Sequence, residues 1–117
     1  MKTEKQYREF VAERVPPRPS EIETFFHAAG GLEAAAGRLF ELTRKAWTYN
    51  GYHPYGTSWT ALAVELGDVL FYATAIMNST GRDYKRLAKD NMLRRRLREA
   101  AEAAEAAEAS QQETGGE

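Results

Sequence analysis

The chain has 117 residues, 43% hydrophobic and 28% charged, a globular composition sized for one ordinary domain and unlike that of a disordered chain. Sixteen Lys and Arg against seventeen Asp and Glu give a formal charge of −1, which argues against general or sequence-specific nucleic-acid binding. With no Cys, disulfides, thiolate metal sites and cysteine nucleophiles are excluded; no apolar run is read as approaching the roughly 20 residues of a membrane span, the start Met1-Lys2-Thr3-Glu4-Lys5 has no signal-peptide core, and a cytoplasmic location is expected.

In chain order, Tyr7, Phe10 and Val11 sit at i, i+3, i+4 and predict a short amphipathic helix closed by Val15-Pro16-Pro17-Arg18-Pro19. Ser20 followed by Glu23 is a capping box that opens a second helix carrying Ile22, Phe25 and Phe26. Gly30-Gly31 either breaks or bends it before the stripe Leu32, Ala36, Leu39 and Ala46, which runs to the turn signal Asn50-Gly51. Residues 49–57 (YNGYHPYGT) read as an aromatic loop.

The third helix has the clearest pattern. From a Thr57/Ser58 cap, Trp59, Leu62, Leu66, Val69, Leu70, Ala73, Ile76 and Met77 recur at three and four, until Ser79-Thr80-Gly81 stops the helix. Asp83 can cap a fourth helix with Tyr84, Leu87, Leu93 and Leu97 on its apolar side. Charge divides sharply along it. From Arg82 to Arg98 eight bases meet two acids, a net of +6, whereas Glu99 onward carries six Glu and no base, a net of −6. The Glu-Ala-Ala repeat drifts around the helix, so a solvated extension is expected, or else an acidic partner-binding arm, with fraying from Gln111. No strand pattern competes, so the fold class is all-α, with a helical domain over 1–98 and an acidic Ala/Glu-rich extension over 99–117.

Glu65 and Asp68 stand at i and i+3 on the third helix, with Tyr72 continuing their face. Paired carboxylates at that spacing suit a hard cation such as Mg²⁺. An ordinary solvated face has the same spacing. The apolar flanks Leu62, Leu66, Val69 and Leu70 favour a partly buried pair, which requires a counter-charge.

The stretch ELGDVLFYA (Glu65 to Ala73) resembles the second motif of the MazG-like, all-α nucleoside triphosphate pyrophosphohydrolases. The likeness extends to QYREFVAERVPPRP (Gln6 to Pro19), HAAGGLEAAAGRLFELTRK (His27 to Lys45) and KDNMLRRRL (Lys89 to Leu97), covering about residues 6 to 98. It implies a bundle of four main helices completed by homodimerisation or homotetramerisation. It also implies cleavage of a triphosphate into monophosphate and pyrophosphate, with Mg²⁺ or Mn²⁺ held by E-x-x-E on one helix and E-x-x-D on the next.

This sequence departs from that pattern. Aligning Gly31-Leu32 and Gly37 with the family's G-L-x-x-E-x-G-E segment places the first motif's two Glu at Ala35 and Arg38. Only Glu65 and Asp68 remain as metal ligands, with Glu41 as a possible substitute. If Arg38 faces the two acids, its guanidinium can replace the cations as their counter-charge. Alternatively, Arg38 and Lys45, two turns apart on one face, could contact phosphates.

The leading expectation is therefore a catalytically impaired protein that binds or sequesters a nucleotide or nucleotide-derived signal, with no cofactor and no catalytic residue beyond a residual Glu65 and Asp68. An active pyrophosphohydrolase using Mg²⁺ or Mn²⁺ at Glu41, Glu65 and Asp68, and a structural or regulatory subunit with a vestigial pocket, are the alternatives. The resemblance adds Tyr72, Asn91 and Arg94 as ligand-binding candidates, the family's usual Lys corresponding to Met92. Trp47, with Tyr49, Tyr52, His53 and Tyr55, could stack on a base or pack on a partner subunit. His27 and His53 lack metal-ligand spacing.

Overall fold

Thr3 begins the first helix by accepting from the Gln6 amide at 3.2 Å while the Gln6 side chain accepts from the Thr3 amide at 3.2 Å, a reciprocal cap. The computed structural model describes residues 3–15, 19–50 and 59–115, apart from the side chains of 47–50, 59, 114 and 115. Four helices follow in order: α1 (Glu4–Arg14), α2 (Glu21–Asn50), α3 (Trp59–Thr80) and α4 (Tyr84–Gly115), with no strand among the described residues. The expected Thr57/Ser58 cap and the aromatics Tyr52, His53 and Tyr55 lie outside the described residues.

The Ser20 hydroxyl accepts from the Glu23 amide at 3.2 Å and opens α2, which then runs unbroken through Gly30-Gly31. Glycine lowers helix propensity without forbidding the helix. The one positive φ among the described glycines is at Gly81 (65°), where α3 ends and the Arg82 amide donates back to the Met77 carbonyl at 3.1 Å. Asp83 accepts from the Arg86 amide at 2.7 Å and opens α4. That helix continues to Gly115 instead of fraying from Gln111, and it crosses residues 98 and 99 without a break.

Residues Met1–Arg82 and Asp83–Glu117 form two compact units. In the first, α3 packs on both α1 and α2. The core is built from Val11, Ala28 and Ala75, with Tyr7, Val15, Phe71 and Ile76 packed around them. Small residues at the centre let the helix axes approach, and Ala35 and Ala46 extend the buried strip of α2. Arg8 fastens α1 to the end of α3: its Nε donates to Asn78 Oδ1 at 3.0 Å, its Nη2 donates to the Arg82 carbonyl at 3.1 Å, and Asn78 Nδ2 donates to the Arg8 carbonyl at 3.0 Å.

Three expectations are corrected. On α2 the buried residue is Ala35, and Ala36 is exposed. On α3, Leu66 and Leu70 are 59% and 50% exposed, whereas Thr74 and Ala75 are buried and Glu65 and Tyr72 are partly buried. That helix is apolar on more than one face, so periodicity alone leaves its orientation open, and packing selects the face whose acids find a counter-charge. Finally, Thr60–Thr80 is long and apolar enough, by length and composition, to cross a membrane. Its two acids lie near its start, and the remainder of the segment carries no charged residue.

Candidate functional site

Helical spacing places Ala35 and Arg38 on one side of α2, three residues apart, and that side meets α3. Ala35 is fully buried. One turn on, Arg38 Nε donates to Glu65 Oε2 at 2.8 Å, and its Nη2 lies 3.6 Å from Asp68 Oδ2. The Glu65 side chain is 18% exposed, whereas Arg38 and Asp68 are about half exposed. A guanidinium keeps its charge at any ordinary pH, so it can neutralise an inward-facing carboxylate without a metal. The hydrogen bond that Arg38 donates to Glu65, with the charges of Glu65 and Asp68, raises the Arg38 pKa above its ordinary value.

Two tyrosines flank this triad. Burial, and then the negative charge of Asp68, raise the Tyr7 pKa above its ordinary 10.0, so a residue of α1 feels the same cluster. Tyr7 was read as an apolar position, and nothing in its local spacing signals this proximity. On the other flank, the Tyr72 ring lies against Gly31, and a Cβ built at Gly31 would overlap the ring, with Cζ only 2.6 Å away. Gly31 therefore lets the ring lie flush on α2. Beside it opens a cavity of about 890 Å³, lined by Ile22, Phe26, His27, Gly30, Gly31 and Tyr72 among others. This depression is open to solvent, with Ile22 and Phe26 75% and 79% exposed, and the acid Glu23 is part of its wall.

The other candidates are placed differently. Glu41 accepts from Arg44 Nε through both oxygens, at 3.2 and 3.1 Å, and this bond holds its carboxyl below the ordinary 4.5. It therefore has its own cation and is not brought to Glu65 and Asp68. Lys45 is exposed, and its charge adds to the lowering at Glu41. The Trp47 side chain lies outside the described residues. Asn91 and Arg94 belong to α4, in the second unit, where Asn91 accepts from Arg95 Nε at 3.2 Å and Arg94 is exposed.

Among the described residues no group of three or more His, Asp or Glu is arranged to hold a metal. The two acids that do come together share the Arg38 guanidinium. The arrangement can instead offer hydrogen bonds. Arg38 carries five N–H donors, and its Nη1 makes neither of the two acid contacts. No family model, curated protein or solved structure matches the chain.

Proposed function

We propose that this chain is a catalytically impaired member of the MazG-like helical family that binds or sequesters a nucleotide, or a nucleotide-derived signal, without hydrolysing it. The observation that carries this reading is the pairing of Arg38 with Glu65 and Asp68. The resemblance aligns Arg38 and Ala35 with two lost metal ligands; Ala35 is buried, and Arg38 reaches Glu65 and Asp68 of α3. A fixed positive charge there stands in for the cations as the partner of the two acids, and no metal-activated water is available for attack on phosphorus. The aromatic cavity beside Tyr72 suits a base or sugar, and Arg38 Nη1 and Lys45 suit phosphate oxygens.

Assembly into a homodimer or homotetramer in the cytoplasm is part of the same reading. Its support is the apolar surface left uncovered on α2 and α3: Phe26 at 79%, Phe40 at 67%, Leu66 at 59% and Val64 at 57% exposed. The active-enzyme reading is disfavoured by the engagement of Glu41 with Arg44.

The test incubates the protein with a panel of nucleoside triphosphates, dinucleotides and cyclic nucleotides, with Mg²⁺, Mn²⁺ or a chelator, and follows thermal stability and pyrophosphate release. Metal-independent stabilisation by at least one nucleotide, without release, is expected. Robust pyrophosphate release would restore the enzyme, and no response to any nucleotide would leave a structural or regulatory subunit.

A further inference from the structure

The second compact unit is dominated by a single helix whose charges run against its own dipole. The α4 helix has 32 residues, so it is about 48 Å long. Its first turn holds no acid and its last turn no base, the reverse of what a solitary helix prefers. Lys85, Arg86, Lys89, Arg94, Arg95, Arg96 and Arg98, against the single acid Asp90, fill the first half, and Glu99, Glu102, Glu105 and Glu108 follow. Within one helix such a distribution pairs opposite charges mainly at the junction, as Arg95 with Glu99 and Arg98 with Glu102. It becomes favourable when an identical helix lies alongside in the opposite direction, basic half beside acidic half.

The uncharged positions give the same direction. Leu93, Leu97, Ala100 and Ala104 recur at i, i+4, i+7 and i+11, a short heptad seam, and Leu93 and Leu97 are 57% and 62% exposed. Two copies crossing antiparallel about the midpoint between residues 98 and 99 bring Leu93 opposite Ala104 and Leu97 opposite Ala100. Each large side chain then meets a small one. Parallel pairing would set basic half against basic half and Leu against Leu.

We infer that α4 is a self-association helix, whose partner is the α4 of a second copy of this chain, antiparallel and in the register Leu93–Ala104. This inference does not depend on what the Arg38 site binds.

The chain has no cysteine, so full-length L93C and A104C proteins each carry one thiol. An equal mixture under mild copper-phenanthroline oxidation is expected to yield a covalent dimer containing one chain of each kind. L93C or A104C alone should cross-link at least about tenfold less, because in this register like positions lie 11 residues apart, about 16 Å along the axis. A second set carries R94E, R95E and R96E in both chains, and its mixed cross-link should fall at least about tenfold. Efficient cross-linking of L93C with itself, which marks parallel pairing, overturns the inference. So does an absence of cross-link in the mixture, which marks a face covered by this chain's own first unit or by another protein, and so does a mixed yield indifferent to the charge reversal.

Discussion

Two adjacent glycines on α2 should respond in opposite directions to the same substitution. At Gly30 a new Cβ meets nothing within 4 Å, so G30A should gain the helix-propensity difference, about 1 kcal/mol. At Gly31 the Cβ would overlap the Tyr72 ring, whose Cζ is 2.6 Å from the built position. Overpacking costs about 1–3 kcal/mol, so after the same propensity gain G31A should be neutral to about 2 kcal/mol destabilised. The contrast between the two variants is therefore about 1–3 kcal/mol, which for a unit of this size corresponds to roughly 4–20 °C in melting temperature. Differential scanning fluorimetry of both, each also made in a Tyr72→Ala background, supplies the check. Removing the ring should abolish the contrast. Equal stabilisation by G30A and G31A in the parent would refute the claim that Tyr72 lies flush on α2, and with it the shape of the cavity beside Tyr72.

Three further outcomes follow from the same contacts. Introducing a third carboxylate, Arg38→Glu, should lower stability in chelator and produce stabilisation by Mn²⁺ that the parent lacks, read by thermal shift with metal alone; an equal Mn²⁺ response in the parent would mean that Arg38 does not exclude the cation. The folded state holds the Tyr7 proton more tightly than the unfolded chain, so this contribution is full below pH 10 and is lost as pH rises beyond it; denaturant titrations from pH 9 upward should show a shallower decline for Y7F. Val11 is fully buried at the centre of the core, and V11A should cost about 2 kcal/mol in chemical denaturation with an unchanged slope.

The elements were legible where local chemistry decides them. Ser20, Asp83 and Gly81 each act at the helix end where their side chain or backbone freedom predicts. The orientation of α3 was legible in part from its periodicity: Leu62, Val69, Ala73, Ile76 and Met77 of the stripe are partly buried, whereas Leu66 and Leu70 are exposed. A hydrophobic stripe drawn through Leu66 and Leu70 points outward in the fold. What places the acids inward is a residue 27 positions earlier, Arg38, and only the resemblance suggested where to look for it. Likewise, the spacing of α2 allowed Ala36 as a core position, while a rotation of one residue buries Ala35 and brings Arg38 onto α3. Burial of so small a residue leaves little hydrophobic signal to read. Tyr7 was hidden for the same reason of distance, since its nearness to Asp68 arises from the packing of α1 on α3.

The most direct measurement of whether Arg38 has replaced the cations is equilibrium dialysis of the whole protein against nucleotides, once in chelator and once in Mn²⁺, with the retained molecule weighed by mass spectrometry. If a guanidinium serves where the MazG-like proteins that the sequence resembles use metal, an intact nucleotide should be retained to the same extent in both. Retention that requires Mn²⁺, or recovery of the monophosphate in place of the triphosphate supplied, would contradict it.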